Sequence, residues 1–112
     1  TAIKLGLTCI PGAATPSEAF TAMAAGAHAV KVFPAEMIGP KILASWRSVI
    51  PDTLPLLPVG GIDSHNMADY WQAGAAGFGL GSALYKPGKS LGDISASATK
   101  LVWSATSLTK TL

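Results

Sequence analysis

The sequence predicts an α/β fold of four consecutive strand–helix units, and three observations lead there. Short apolar runs recur at 6–11, 28–33, 54–59 and 77–81, reading "GLTCIP", "HAVKVF", "LPLLPV" and "GFGLG". Each is followed by a stretch carrying helix start and stop signals, in units of a little over ~20 residues. Strand, crossover helix and strand in that order imply parallel pairing through right-handed connections.

The elements follow in order. After the first run, Thr15 can cap a helix, Pro16 suits its first position and Glu18 completes a T-x-x-E capping box. Gly26 can end it, which predicts a helix over 16–25. The second helix, "GPKILASWRSVIP", is expected to open at Gly39 and Pro40 and to stop at Pro51. The third, "DSHNMADYWQAGA", should open at Asp63 or Ser64 and end at Gly74. In the last, over 91–110, Leu91, Ile94, Leu101, Val102, Ala105 and Leu108 fall at helical spacing.

Two architectures accommodate four such units: an open doubly wound sheet, or part of a (βα)8 barrel, whose full form takes about 250 residues. No G-x-G-x-x-G follows the first run, and "TCIPGAATP" has a proline and no second spaced glycine, which counts against a dinucleotide fold. The expectation is therefore one domain over 1–112 that forms half of a (βα)8 TIM barrel. The chain begins at Thr1, in mid-element, so the other units are expected upstream. No linker or low-complexity segment marks a second domain.

Composition narrows the partners. Of 112 residues 49% are hydrophobic and 12% charged, an apolar balance for so short a chain. The net charge of +2 comes from basic residues scattered along the sequence, which argues against nucleic acid. No apolar run approaches the ~18 residues that span a bilayer, and no secretory signal opens the chain, so no membrane partner and a cytoplasmic location are expected. The single cysteine, Cys9, sits in an apolar context and is read as a buried small hydrophobe.

Lys31 interrupts the second run, "HAVKVF". It alternates with Val30 and Val32, so if the valines face the helices, Lys31 faces the barrel interior with Ala29 and Phe33. Pairing with an interior carboxylate, or guarding an edge strand, would also explain it. Chemistry favours a nucleophile. Bringing a lysine from pKa about 10.4 to about 7 or 8 takes roughly 3–5 kcal/mol of differential interaction, and an apolar interior supplies that desolvation. A neutral amine there can form a Schiff base with a ketone, an electron sink for breaking a neighbouring carbon–carbon bond.

Two glycine-bearing turns follow the third and fourth runs: "PVGGID", with Gly60 and Gly61, and "LGS", with Gly81 and Ser82. Either alone is explained by turn conformation. Together they match the phosphate site that barrels often build from the loops after strands seven and eight, with a helix beginning at Asp63 or Ser64 adding its positive end. His28 and His65 are read as solvated or hydrogen-bonded structure, and no histidines or acids have metal-ligand spacing. Trp46, Trp71 and Trp103 all fall in helices and are read as packing against strands or a neighbouring subunit.

The stretches "PGAATPSEAFTAMAAGAHAVKVFPAE", "PVGGI" and "GLGSALYKPG" resemble, in order and spacing over about 8–90, the second half of the 2-keto-3-deoxy-6-phosphogluconate and 2-keto-3-deoxy-6-phosphogalactonate aldolases. These are class I aldolases with a (βα)8 TIM barrel, and the resemblance implies that the chain is its carboxyl-terminal half, strands five to eight. The resemblance implies that Lys31 is the Schiff-base lysine and that Phe33 and Pro34 shape the pocket beside it. It also implies that Gly60, Gly61, Gly81 and Ser82 hold the phosphate of a keto-deoxy sugar acid. Pyruvate and glyceraldehyde 3-phosphate would be the products, without metal or organic cofactor, in a homotrimer when complete. Val59 before the glycine pair, and "FGLGSALYKPGKS", lean to the galactonate type, since the gluconate type carries threonine at that position.

The family's general-base glutamate, in an "E-I-P" stretch, and its carboxylate-binding arginine have no counterpart in these 112 residues. Glu18 is the capping-box acid and Glu36 lies past the strand end, so neither replaces the base. The chain is then expected to be the carboxyl half of a longer enzyme, or a half barrel that must pair. Two other functions stay open beside the aldolase: a phosphate-binding barrel of other chemistry, with Lys31 as an electrostatic clamp, and a non-catalytic half-barrel module.

Overall fold

The apolar runs pair as expected but over shorter spans. The computed structural model describes residues 1–109. β1 (Gly12–Ala13), β2 (Val30–Val32) and β3 (Leu56–Pro58) form one parallel sheet in the order β1-β2-β3. Lys31 stands between Gly12 on one neighbour and Leu57 on the other. The first run, expected as a strand over 6–11, contributes ladder bonds but little regular strand. The His28 N–H donates to the Cys9 carbonyl at 3.0 Å and the Lys31 N–H to that of Pro11 at 2.9 Å, while regular pairing starts only at Gly12. Pro11 has no N–H to give the ladder. Before it the chain turns through a 3-10 segment, Ile3–Leu5, that was not expected. The fourth run, 77–81, is reduced to one parallel bridge between Val59 and Gly79. Its glycines bring the backbone so close to β3 that a Cβ at Gly79 would overlap the Val59 methyls.

α1 (Pro16–Ala24) follows β1 and carries the expected capping box. Thr15 Oγ1 accepts from the Glu18 N–H at 3.2 Å, and Glu18 Oε2 accepts from the N–H groups of Thr15 at 3.1 Å and Ala14 at 2.6 Å. α2 (Ala35–Arg47) starts four residues before the expected Gly39. Gly39, at φ 70° and ψ 163°, is not helical and divides α2 into two stretches, so the expected opening at Gly39 and Pro40 is the start of the second, and the short stretch 35–38 before it is the part not expected. α3 (Met67–Gln72) starts later than expected. Asp63 Oδ1 accepts from the N–H groups of His65 at 2.8 Å and Asn66 at 3.1 Å, which holds 63–66 as a turn in place of a first helical turn. α4 (Leu91–Thr109) agrees with the sequence reading as far as the described residues reach; position 110 lies outside them.

Among the described residues one core cluster collects the buried hydrophobic side chains other than Ala29. Val30, Val32, Leu43, Leu56 and Met67 are fully enclosed, with Ala19 of α1 and Leu101 of α4 joining the same cluster. Among the described residues all four α-helices therefore share the core on one side of the sheet, and neighbouring strands follow chain order. A doubly wound sheet would reverse its order and cover both faces. The observed arrangement is barrel-like. The other face carries Gly12, Lys31 and Leu57, none of them buried.

One buried hydrogen bond ties α3 to the start of α2: the Tyr70 hydroxyl donates to the Ala35 carbonyl at 2.8 Å. Burial, and then the Glu36 carboxylate, push the Tyr70 phenol above its usual range. Its stabilising contribution is thus full below the unfolded value of about 10 and is lost as pH rises from there through the higher folded value. Tyr70→Phe is expected to lower stability by about 1–3 kcal/mol, because the carbonyl loses its buried donor. Urea melts at neutral and alkaline pH check both points: the variant should also lose part of the alkaline fall in stability, and an unchanged midpoint at neutral pH would contradict the assignment.

Candidate active site

Lys31 reaches the open face of the sheet because its strand neighbours, Val30 and Val32, are drawn into the core. Phe33, two residues on and thus on the same side, stands with its ring 4.6 Å from Lys31 Nζ. The two line a cleft of about 240 Å³ with Gly12, Ala13, Ala14 and Glu18. Lys31 is half-buried and Phe33 is 47% exposed, so within residues 1–109 the apolar enclosure expected around the amine is an open cleft. Pro34 follows through a cis peptide and caps α2. Glu18 borders the cleft, but its Oε2 is occupied by the two N–H groups of the cap. That agrees with reading it as structure.

The glycine turn after β3 comes directly against this strand end. Gly60 and Gly61 have φ of 106° and 71°, backbone that side chains rarely adopt. A Cβ at Gly60 would touch the Phe33 ring at 3.4 Å, and one at Gly61 would stand 2.8 Å from Glu36 Oε2. The lysine strand and the turn are therefore in contact through Phe33 and Gly60. Glu36, read from the sequence only as lying past the strand end, fills one side of Gly61. On its open side Gly61 shares a cleft of about 400 Å³ with Ser82. Gly81 is exposed, with open space where a Cβ would stand, and Val59 is half-buried against Gly79.

The two glycine turns do meet, as their pairing suggested. One part of the expectation is corrected: α3 has six residues and begins at Met67, so no helix start at Asp63 or Ser64 points into the turn. Cys9 is half-buried instead of buried, with its N–H donating to His28 Nδ1 at 3.0 Å. That places His28 in hydrogen-bonded structure. His65 is exposed. Among the described residues, no three His, Cys, Asp or Glu side chains are grouped to hold a metal ion, and no helix is long and apolar enough to cross a membrane. Sequence reading missed Lys86 and Lys100, which line the same cleft as Gly61 and Ser82. Lys86 stands four residues after Ser82, a spacing that carries a signal once a helical turn is assumed there; Lys100 is brought in only by the packing of α4.

Residues 1–96 match the family model for the KDPG and KHG aldolases. The chain belongs to this aldolase family. It is 48% identical over 89 residues to a probable 2-dehydro-3-deoxy-6-phosphogalactonate aldolase of Rhizobium meliloti (strain 1021), covering 80% of this chain and 42% of that protein. With the 2-dehydro-3-deoxy-6-phosphogalactonate aldolase of Escherichia coli (strain K12) it shares 44% over 90 residues, or 80% and 44% of the two chains. The aldolase-family chain thus spans less than half the length of these relatives. The solved structure of native KDPGal superimposes with a TM-score of 0.94 at 38% identity, covering 97% of this chain and 53% of the other. The sequence resemblance to the family and the α/β, barrel-like fold agree with these likenesses.

Proposed function

We propose that this chain supplies the Schiff-base and phosphate-binding part of a class I aldolase, a lyase that cleaves 2-dehydro-3-deoxy-6-phosphogalactonate to pyruvate and glyceraldehyde 3-phosphate. The observation that carries the reading is the position of Lys31: on the open sheet face, beside Phe33, at the strand end that touches the glycine turn. A half barrel, cytoplasmic and trimeric when complete, belongs to the same proposal.

The chemistry follows from those positions. The Lys31 amine, once it has lost its proton, attacks the C2 ketone, and loss of water leaves a cationic iminium. Phe33, whose ring face lies 4.6 Å from Nζ, favours that cation as it does the ammonium, by about 0.5–1 kcal/mol at an exposed site. A base takes the C4 hydroxyl proton, the C3–C4 bond breaks, and its electron pair moves into the iminium to give an enamine. Glyceraldehyde 3-phosphate leaves, C3 is protonated, and water releases pyruvate from Lys31. The resemblance puts the base in an "E-I-P" stretch that these residues do not contain. Backbone N–H groups of Gly60, Gly61 and Gly81 and the Ser82 hydroxyl hold the phosphate, at the far end of the substrate from the amine.

Pyruvate with borohydride should leave a reduced pyruvyl group on Lys31 alone, read by peptide mass. Folded protein with Lys31 unmodified at saturating pyruvate would point to a phosphate-binding barrel of other chemistry. Substrate choice is assigned to Val59, half-buried against Gly79. Val59→Thr, similar in shape, should shift selectivity in the active enzyme toward the gluconate epimer by about 1–3 kcal/mol, the worth of one hydrogen bond in a closed site. Ratios of kcat/KM for the two epimers measure it. An equal loss on both would mean that Val59 shapes the pocket without choosing the epimer.

A further inference from the structure

One side chain outside the glycine pair holds the turn after β3 in shape. Asn66 Nδ2 donates to the Gly61 carbonyl at 2.8 Å, and Asn66 Oδ1 accepts the Asp63 N–H at 3.0 Å. That orientation of the carboxamide is forced, because a backbone N–H only donates and a carbonyl only accepts. Asp63 Oδ1 returns the bond by accepting the Asn66 N–H at 3.1 Å, so the two side chains close a reciprocal ring over 61–66. Gly60 and Gly61 have no side chains to restrict them, and at φ 106° and 71° their orientation depends on what bonds their peptide units. In a trans peptide the carbonyl and the next N–H lie in one plane and point in opposite directions. A Gly61 carbonyl fixed on Asn66 thus turns the Ile62 N–H away from Asn66. Ile62 lines the cleft shared by Gly61 and Ser82 and is 3% exposed, yet its N–H has no protein acceptor among the described residues. The N–H groups of Gly60 and Gly61 have none there either. Enclosed N–H groups are nearly always paired, so successive unpaired donors in a braced turn are donors kept for a ligand.

We propose that Asn66 is a positioning residue for the aldolase reaction: its carboxamide holds the Gly61–Ile62 peptide in the one orientation that keeps the turn's free N–H groups aimed at the substrate. This rests on the reading that the glycine turn holds the far end of the substrate. What it adds is the residue that fixes the turn. Both ends of the carboxamide are taken by backbone, so Asn66 acts through the turn and not by touching the substrate. The far end is bound alike before and during cleavage of the C3–C4 bond, so losing the brace removes binding common to the ground and transition states.

Asn66→Ala in the active enzyme should raise KM for the phosphorylated sugar acid roughly 5- to 20-fold while kcat changes less than about twofold. The same acid without its phosphate should lose much less. Asn66→Ser, which keeps a small polar group at this place without the carboxamide donor, should repeat the split. Backbone ¹⁵N order parameters at Gly61 and Ile62 should fall in both variants from about 0.85 toward 0.6. Asn66 is half-buried outside the core cluster, so far-UV circular dichroism should show the fold retained. Equal losses on the acids with and without phosphate, or a fall in kcat as large as the rise in KM, would make Asn66 a general structural residue and overturn the proposal. An unchanged KM overturns it too, and the order parameters then say why. A turn that loosens without effect on KM shows that the substrate is held elsewhere, which removes the reading of the glycine turn. A turn that stays ordered shows that Asn66 is not its brace. Pyruvate carries no phosphate, so its trapping on Lys31 of the wild type tests the aldolase chemistry separately.

Discussion

Lys31→Arg is expected to abolish the borohydride-trapped pyruvyl adduct and to lower kcat/KM of the active enzyme at least about 10³-fold, or ~4 kcal/mol of transition-state stabilisation. Arginine keeps the positive charge and the reach to the Phe33 ring, but its guanidinium stays protonated and does not act as a nucleophile toward a ketone. The substitution therefore separates the two roles of a cation on this strand. A charge that only clamps an anion would survive it, and a variant retaining more than about a tenth of wild-type turnover would refute the Schiff base. Lys31 is half-buried on the open face of the sheet, so a larger side chain can extend into the cleft without disturbing Val30 and Val32 behind it. Circular dichroism and an unchanged urea midpoint would confirm that only chemistry was lost.

Trp46→Ala should cost about 3–5 kcal/mol, whereas Trp103→Ala should change stability by less than about 0.5 kcal/mol. Trp46, near the end of α2, is 3% exposed within the core cluster; Trp103, on α4, is 71% exposed. Removing the buried indole loses its transfer free energy and leaves a cavity in the core cluster. For a domain stabilised by about 5–15 kcal/mol this is a large share. The urea midpoint should fall by roughly 2 M at a typical slope. Equal shifts for the two variants would show that the core is organised differently from the packing described here.

The tryptophans also show how far sequence reading reaches. All three sit in helices, as periodicity indicated, but nothing local separates an indole in the core from one in solvent. The capping box at Thr15 and Glu18 was legible because its partners lie three residues apart and bond each other. The opening at Gly39 and Pro40 was legible for a similar local reason, since Gly39 leaves the helical conformation and the helix resumes at Pro40, but the short stretch 35–38 joined ahead of it was not. Asp63 misled in the opposite direction, since its carboxylate stabilises a turn as readily as a helix cap.

Local pattern alone thus determined that strands alternate with helices in parallel, that Lys31 shares a face with Phe33, and that glycine turns follow the third and fourth apolar runs. These depend on interactions within about four residues and on the two-residue alternation of a strand. Tertiary structure decided the rest. It brought Gly60 against Phe33, set Glu36 on one side of Gly61, and folded α4 so that Lys100 faces Ser82 across a shared cleft. The physical reason is that such contacts join residues far apart along the chain, whose approach is fixed by how helices pack on one face of the sheet and by nothing in their own neighbourhoods.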